Sequence, residues 1–432
     1  MNQRPVWIKH AAQLATIAGG PAPRIREGMS DLGIIEDGSV WIEEGEIRAA
    51  GTTAELEKRY GSRAAEAEII DASGRLVTPG LVDPHTHIVY GGSREKEFEM
   101  RLEGATYMEI MEAGGGIHAT ARMTREATEE ELFEQSFRRL DSFLSHGVTT
   151  VEGKSGYGMD LETELKQLRV MKQLNERHPA DLVPTFMGAH AVPLEWKGRE
   201  DEFVDLIIRD MLPKVAEEGL AAFNDVFCEV GVYTPGQSRR ILEAGKEHGL
   251  LPKIHADEIE PYGGAELAAE VGAISAEHLL KASDVGIRKM AEAGTIACLL
   301  PATALYLREE AARGRDMIDA GVPVAVSTDC NPGSSPTTSM PLVMNLACIS
   351  MRMTPAEALV AATLNAACAI NMQDKVGSIE PGKQADLVMW DIQNYQELQY
   401  LFGVNHVMNV WKKGKLVISK EGEIRTQSMP AY

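Results

Sequence analysis

Two patterns of apolar and polar residues divide this chain into three regions. In residues 1–79, and again from residue 376, apolar positions alternate with polar ones between turn glycines, as in GSVWIEEGEIRAAG and HVMNVWKKGKLVISKEG. This alternation predicts half-buried antiparallel strands. Neither end is long enough for a comfortable core alone. We therefore expect residues 1–79 and 376–432 to pack together as one composite β-sandwich domain.

The middle of the chain, residues 80–375, follows the second pattern. Short apolar runs rich in β-branched residues alternate there with amphipathic stretches of roughly 15 residues, which predicts βαβ units and a parallel sheet. The candidate strands are residues 80–88, 148–156, 182–190, 225–232, 251–258, 273–279, 295–301 and 322–331. Eight such units predict an α/β fold of the (β/α)8 TIM-barrel type. The alternative is a doubly wound open sheet, but no GxGxxG opens a helix, which disfavours its dinucleotide-binding form.

Composition and charge narrow the possible partners. The net charge of -21 disfavours nucleic acid and anionic membranes, and it means that an anionic substrate needs a local cation. No apolar run approaches the ~20 residues of a membrane helix, and the first residues lack the apolar core of a signal peptide. The cysteines form no CxxC, which fits structural thiols in a reducing cytoplasm. They are Cys228, Cys298, Cys330, Cys348 and Cys368.

Polar residues end six of the eight predicted strands. Catalytic groups of a barrel cluster at the C-terminal ends of its strands. Histidine, aspartate and glutamate are uncommon in strands and costly to bury unpaired. Core packing alone therefore does not explain why polar residues recur at the ends of six strands. The polar residues, strand by strand, are His85 and His87; Lys154 and Tyr157; His190; His255 and Glu258; Glu277 and His278; and Asp329 and Asn331.

A metal-centred site explains these strand ends best. We expect His85, His87, His255 and Asp329 to be the ligands, because three imidazoles and one carboxylate suit zinc or ferrous iron. Such a metal activates water at neutral pH, so the predicted chemistry is hydrolysis or hydrolytic deamination.

The chain resembles the amidohydrolase superfamily. The resemblance consists of an HxH motif that ends strand one, histidines that end strands five and six, an aspartate that ends strand eight, and a small β domain built from both termini. Within that superfamily, PHTHIVYGGSREKEFEMRLEGATYMEI, EGKSGYG, FMGAHAVP, KIHADEI, SAEHL and STDCNPGSSPT resemble the imidazolonepropionase family. The resemblance implies ring opening of 4-imidazolone-5-propanoate, a small anionic heterocycle, to N-formimidoyl-L-glutamate. It also implies one zinc or iron ion per chain and a cytoplasmic homodimer.

The resemblance also implies a role for each site residue. His85, His87, His255 and Asp329 would hold the metal, and Asp329, Glu258 and His278 would handle protons. Arg94 and Tyr107 would hold the propionate. The residues in contact with the ring and amidine would be Tyr157, His190, Asn331, Gly333 and Ser334.

Elementary chemistry agrees with several of these roles. Arg94, in the loop GGSR, offers a planar fork for a carboxylate, whereas Tyr107 taken alone fits a structural tyrosine equally well. The turn-rich loop NPGSSP could present backbone N–H groups to a ligand. Glu258 could instead only support a neighbouring metal ligand. The Gly-rich stretch 114–124 is a candidate mobile lid.

Three other functions remain possible. A deaminase of guanine or cytosine would share the mononuclear ligand set, but it would not need Arg94 and Tyr107 for a carboxylate tail. A binuclear cyclic amidase needs a lysine at the end of strand four, where the chain reads VFCEVGV; Lys154 belongs to strand two. A non-catalytic scaffold is disfavoured because ligands and proton-handling residues are all present. Cys330, next to Asp329, is expected to point to the opposite face and to be structural.

Overall fold

The architecture is a barrel joined to a separate sheet, as a computed structural model of the chain shows. The structure describes residues 4–105, 109 and 114–420. In chain order, its strands are β1 (Val6–Ala15), β2 (Ile34–Glu43), β3 (Glu46–Thr52), β4 (Glu68–Asp71), β5 (Leu76–Pro79), β6 (Leu81–Asp83), β7 (Val148–Lys154), β8 (Asp181–Ala189), β9 (Phe223–Cys228), β10 (Leu251–Ala256), β11 (Ser275–His278), β12 (Ile296–Leu299), β13 (Val324–Val326), β14 (Leu387–Trp390), β15 (Val407–Lys412) and β16 (Lys415–Ser419).

The helices lie mostly between the strands of the barrel. They are α1 (Thr53–Tyr60), α2 (Glu95–Leu102), α3 (Ile117–Glu126), α4 (Glu129–Ser145), α5 (Leu161–Arg177), α6 (Glu200–Leu206), α7 (Leu212–Glu217), α8 (Pro235–Glu247), α9 (Gly264–Val271), α10 (Asp284–Ala293), α11 (Pro301–Leu307), α12 (Gly314–Ala320), α13 (Met340–Met351), α14 (Pro355–Ala361), α15 (Leu364–Ala369) and α16 (Tyr395–Tyr400). Among the described residues, no helix is long and apolar enough to cross a membrane.

Strands β6 to β13 form the predicted barrel. Each is parallel to the next, in sequence order, and the helices between them make this connection possible. The barrel closes just beyond β6 and β13, where Thr86 bridges Cys330 and the N–H of His87 donates to the Cys330 carbonyl at 3.0 Å. Closure brings the segment after the first strand beside the segment after the last, so the (β/α)8 prediction is confirmed.

Side-chain caps fix where the outer helices begin. Thr128 accepts the N–H of Glu131 and the Glu131 carboxylate accepts the Thr128 N–H, which is a complete capping box at the start of α4. Thr234 and Gln237 do the same for α8. These side chains satisfy N–H groups that the first helical turn leaves without a partner. Each cap therefore fixes the residue at which its helix begins.

The two ends of the chain meet in one sheet, as predicted. Its strand order is β16-β15-β14-β5-β1-β2-β3, with β4 paired to β1. Successive side chains of β14 point to opposite faces of the sheet and join two different hydrophobic cores. Leu387 and Met389 pack in the sheet's own cluster, whereas Val388 and Trp390 pack with the barrel. The C-terminal strands thus fix the sheet against the barrel.

The first barrel strand is shorter than predicted. The expected strand 80–88 includes both histidines, but β6 ends at Asp83, so His85 and His87 lie on the segment that follows it. Pro84 has no N–H to donate to the ladder, and the chain turns toward the barrel mouth there. The last strand shortens in the same way, because β13 ends at Val326 and Asp329 lies beyond it.

Candidate metal-dependent active site

Three imidazoles and one carboxylate converge at the mouth of the barrel. His85 Nε2 and His87 Nε2 lie 3.4 and 3.8 Å from Asp329 Oδ1, and the Nε2 atoms of His87 and His255 are 3.3 Å apart. All four residues are buried. Ligands about 2.0–2.1 Å from a tetrahedral zinc ion are about 3.3 Å from one another. The separations seen here therefore match a divalent metal site.

Two buried carboxylates orient the metal-facing nitrogens. Glu277 accepts a hydrogen bond from His85 Nδ1, and Asp225 Oδ1 accepts one from His255 Nδ1 at 3.2 Å. With Nδ1 protonated, each ring presents the lone pair of Nε2. Among the residues that the structure describes, His85 Nε2 is buried and has no hydrogen-bond partner, which is costly unless a cation binds it. The donor set therefore fits a metal ion.

A layer of paired charges lies directly under this cluster. The Lys154 ammonium is 2.7, 2.8 and 3.0 Å from carboxylate oxygens of Glu152, Asp225 and Glu277. Lys253 lies 2.8 Å from the other oxygen of Glu277. Burial disfavours the charge of Lys154, but the three carboxylates outweigh burial and hold its pKa well above the ordinary value. The ammonium is therefore charged and unavailable for carbamylation.

Asp329 is ionised in this setting. Burial raises the pKa of its carboxyl group, but the adjacent His85 imidazole, with a smaller contribution from His278, lowers it to about 2. The Thr303 hydroxyl donates to Asp329 Oδ2 at 2.6 Å, while Oδ1 faces the histidines. The carboxylate is therefore fixed, with one oxygen toward the metal ligands.

A second acid–base pair stands above the cluster. His278 Nδ1 lies 3.5 Å from Glu258 Oε1. Burial, reinforced by the nearby carboxylates of Asp329 and Glu229, raises the pKa of Glu258 to about 8. Burial lowers the pKa of His278 well below its usual value. A protonated Glu258 and a neutral imidazole are therefore available at neutral pH.

Aromatic rings form one wall of the site. His190 stacks on His87 with ring centroids 4.6 Å apart, and Tyr157 lies 5.2 Å from the His190 ring. Burial, followed by repulsion from His255, lowers the pKa of His190 to about 3. Its Nδ1–H donates to the carbonyl of Gly156 at 3.2 Å, which leaves Nε2 as an acceptor. This wall suits a flat heterocycle.

The predicted loop after Asp329 is present, but its N–H groups are already engaged. Asn331 Oδ1 accepts the N–H groups of Gly333 and Ser334, each at 2.8 Å. Asn331 Nδ2 donates to the Asp329 carbonyl at 2.7 Å. The expectation that this loop offers backbone donors to a ligand is therefore not met at these two positions. Instead, an Asx turn holds the loop close against Arg94.

One cavity contains most of the predicted residues. Its volume is about 660 Å³, which is in the range of ligand sites. The lining includes His87, Arg94, Tyr157, His190, His255, Glu258, His278, Asp329, Asn331, Gly333 and Ser334. His85 is fully buried directly behind them, and Tyr107 lies outside the described residues. The candidate lid stretch is largely helical, because α3 begins at Ile117, and that residue also lines the cavity.

The backbone is strained at two of these residues. His278 has φ 70° and Asp329 has φ 52°, both in the left-handed region. A non-glycine residue held there costs about 1–3 kcal/mol and persists only where the surroundings enforce it. The two strained positions carry a candidate proton-handling imidazole and a candidate metal ligand, which supports a functional origin of the strain.

The sequence prediction missed several residues that build the site. Asp225, Lys253, Thr303 and Arg101 were not proposed, although each contacts the cluster or lines the cavity. A period-2 signal marks Lys253, which lies two residues before His255 on β10 and so shares its face. Arg101 and Thr303 carry no comparable signal, because only the tertiary fold brings them to the site.

Comparisons with known proteins agree with this architecture. Residues 76–417 match the model of the amidohydrolase family, and the chain belongs to that family. It is 65% identical over 422 residues to the imidazolonepropionase of Geobacillus sp. (strain WCH70), covering 98% of this chain and 99% of the relative. It is also 65% identical over 418 residues to the imidazolonepropionase of Brevibacillus brevis (strain 47), covering 96% and 99%. Within the amidohydrolases, the chain belongs with the imidazolonepropionases.

Solved structures share the fold at much lower sequence identity. Escherichia coli guanine deaminase aligns with a TM-score of 0.72 at 16% identity, covering 97% of this chain and 100% of that one. A Xanthomonas campestris adenosine deaminase with bound zinc aligns with a TM-score of 0.68 at 20% identity, covering 98% and 94%. Similarity at this level establishes the fold alone.

Gly333→Ala is expected to disturb the arginine next to it. A Cβ atom at Gly333 would lie 2.1 Å from Arg94 Nη1, so the guanidinium must move away. We expect KM for a carboxylate-bearing substrate to rise about tenfold, because one charge-assisted hydrogen bond is lost. The value of kcat should change little. Steady-state kinetics measure this. Gly236→Ala is the control, because its Cβ would meet only Thr234 Oγ1, at 4.0 Å. An unchanged KM in Gly333→Ala would contradict the prediction.

Proposed function

We propose that the protein hydrolyses the ring amide of 4-imidazolone-5-propanoate, giving N-formimidoyl-L-glutamate in histidine degradation. The observation that carries this proposal is one cavity that joins the His/Asp cluster to Arg94. Relatives 50–65% identical over nearly the whole chain are imidazolonepropionases. The deaminase alternative is not favoured, since deaminases match this chain only at the level of fold.

The ligand set that we propose is His85, His87, His255 and Asp329, holding one zinc or iron ion per chain. It is supported by the distances among these ligand atoms and by His85 Nε2, which is buried and has no hydrogen-bond partner in the described part of the chain. A divalent metal bound there would supply a water molecule that is nucleophilic at neutral pH. A second ion among Asp225, His255 and Glu277 is disfavoured, because the Lys154 ammonium already lies between these carboxylates.

We assign the proton transfers to three side chains. Asp329, ionised and fixed by Thr303, accepts the proton of the attacking water as oxygen bonds to the ring carbonyl carbon. His278 stabilises the negative charge that develops on the carbonyl oxygen. Glu258, protonated near neutral pH, gives its proton to the ring nitrogen as the C–N bond breaks, and the proton on Asp329 replaces it. One water is consumed. The products are a carboxylate and a protonated amidine, because the basic amidine takes up the proton that the new carboxyl group releases.

The rest of the cavity positions the substrate. His190 and Tyr157 provide a flat wall for the ring, and the Asn331 turn, with Gly333 and Ser334, lies opposite. Arg94 is the proposed partner of the propionate. Its Nη1 lies next to Gly333, another lining residue, while Nη2 is held 2.8 Å from Glu97. Tyr107 remains a proposed second partner on the basis of the family resemblance.

The first experiment combines metal content with substrate choice. Elemental analysis is expected to find about one zinc or iron per chain, and absorbance should report turnover of 4-imidazolone-5-propanoate but not of guanine, cytosine or a hydantoin. Arg94→Ala should lower kcat/KM about 10- to 100-fold, because the substrate carboxylate loses its hydrogen bonds to the guanidinium group. Chelation should abolish turnover and added metal restore it. Turnover of a tail-less base, indifferent to Arg94, would make the protein a deaminase.

We also propose a homodimer in the cytoplasm, without nucleic acid or membrane as a partner. The family resemblance supports the dimer, and the net charge of -21 and five unpaired cysteines support the rest. Light scattering on the purified protein measures the mass in solution, and a mass of one chain would contradict the dimer.

A further inference from the structure

A second arginine of the cavity lacks a role in the proposed reaction. Arg101 lies in the last turn of α2 and lines the same cavity as Arg94. Its Nη1 is buried and, among the described residues, has no hydrogen-bond partner. A buried guanidinium N–H without an acceptor is costly, because it has given up its hydrogen bonds to water. A favourable interaction with the helix dipole accounts for a basic residue in this turn, but it does not account for an unpaired N–H at the cavity.

The other arginine is already partly engaged. Arg94 donates from Nε to Glu97 Oε2 at 2.8 Å, and its Nη2 lies 2.8 Å from the same oxygen. Glu97 Oε1 accepts the N–H of Gly116 at 3.1 Å, so this carboxylate is held in place. Arg94 therefore offers the cavity mainly Nη1. A carboxylate has two oxygens with about four acceptor sites in total. The single nitrogen that Arg94 offers cannot satisfy all of them.

The two arginines share one face of α2 and one aromatic neighbour. Positions 94, 98 and 101 are spaced by four and three residues, so their side chains lie on the same side of the helix. Phe98 stacks on Tyr306 with ring centroids 5.2 Å apart, and the Arg101 guanidinium lies 5.8 Å from the Tyr306 ring. The positive charges of Arg101 and Arg94 both act on the Tyr306 hydroxyl and oppose the effect of burial on its pKa. This neighbourhood keeps the two guanidinium groups near one another.

We propose that Arg101 is a specificity-determining residue that binds the propionate carboxylate together with Arg94. One oxygen would accept from Arg94 Nη1 and the other from Arg101 Nη1, so the buried Arg101 N–H gains an acceptor. The two guanidinium groups also provide the local cation that an anionic substrate needs in a protein of net charge -21. This inference rests on the proposed function, because it assigns the tail of the same substrate.

The test compares ligands with and without the tail. Arg101→Gln is assayed with 4-imidazolone-5-propanoate and with an imidazolone that carries a methyl group instead of the propionate. We expect KM for the propionate substrate to rise about 10- to 100-fold while kcat changes less than about threefold, and kinetics with the methyl compound to stay unchanged. Arg101→Lys should recover part of the loss, because it restores the charge without the planar fork.

Lys96→Gln is the matched control. It removes one positive charge from an exposed position on the same helix and should leave both substrates unaffected. An equal loss with both substrates, or an unchanged KM with the propionate, would overturn the role of Arg101. Calorimetry with imidazole propionate and 4-methylimidazole repeats the comparison without turnover. If the wild type does not turn over the imidazolone but binds imidazole propionate in an Arg101-dependent way, the proposed function fails and the anion site stands.

Discussion

Asp329→Asn is expected to lower kcat by about 100- to 10,000-fold, because it removes a positioned proton acceptor. Asparagine keeps the size of the side chain and can still accept from Thr303, so the fold should survive. It cannot take a proton from water, and its neutral oxygen is a poorer partner for a divalent cation. The measurement is kcat in metal-saturated enzyme together with the metal dissociation constant, which should rise.

The control for this variant changes the next residue of the same segment. Cys330 is buried, and burial raises the pKa of its thiol to about 12, so it is not a reactive thiolate. Cys330→Ala should keep turnover within a few-fold of the wild type. If Asp329→Asn turned over within tenfold of the wild type, Asp329 would not be the proton acceptor. Glu258 would then be the next residue to examine.

The barrel was predictable because local patterns determine most of it. Apolar β-branched runs, helical stretches and the strand-end rule are all properties of the sequence, and together they predict His85, His87, His255 and Asp329 at one mouth of the barrel. The structure confirms the fold and brings these side chains together, while their role as ligands stays a prediction. Strand ends were less predictable, because Pro84 and the turn into the loop shorten β6.

The charge layer under the cluster was not predictable from the chain alone. Glu152 and Lys154 share one face of β7 by period-2 alternation, so their proximity is a local property. Contact between Lys154 and Asp225 or Glu277 depends on the register of strands far apart in sequence. Asp225 was missed because it stands early in its strand rather than at the end. Such contacts follow from barrel closure, which single-strand patterns do not encode.

Arg101 illustrates the same limit on the substrate side. In the sequence, Arg101 is one of several charged residues on an ordinary amphipathic helix. That pattern alone predicts a side chain on the solvent-exposed face of the helix. The structure differs because α2 packs beside the Asn331 turn, where Gly333 leaves room for the Arg94 guanidinium. The close approach of a loop after the last strand to a helix after the first is again a consequence of closure.

Lys154→Met is expected to lower the free energy of unfolding by about 3–5 kcal/mol, because removing one partner of a buried ion pair leaves its counter-charges unpaired. Three carboxylates, of Glu152, Asp225 and Glu277, surround the Lys154 ammonium, and all are fully buried. Among the described carboxylates, Lys253 pairs with Glu277 but not with Glu152 or Asp225, so it cannot replace Lys154. Denaturant titration of the metal-free protein measures the change. Lys172→Met, at an exposed site on α5, should shift stability by less than about 0.5 kcal/mol.

The same substitution is expected to weaken metal binding. Asp225 holds His255 and Glu277 holds His85, so repulsion between the two carboxylates should turn both imidazoles away from their positions. Loss of such supporting partners typically costs 10- to 100-fold in metal affinity. Competition with a chromophoric chelator measures the dissociation constant.

A double variant separates charge balance from packing. Among the described residues, Glu152 contacts the Lys154 ammonium but neither histidine. Glutamine keeps one of the two oxygens that accept from the Thr86 N–H and the Thr185 hydroxyl. Adding Glu152→Gln to Lys154→Met removes one of the three unpaired charges, so it should recover part of the lost stability. Metal affinity should recover less, because Asp225 and Glu277 would still repel each other. If the double variant were no more stable than Lys154→Met, shape rather than charge would account for the effect of the lysine.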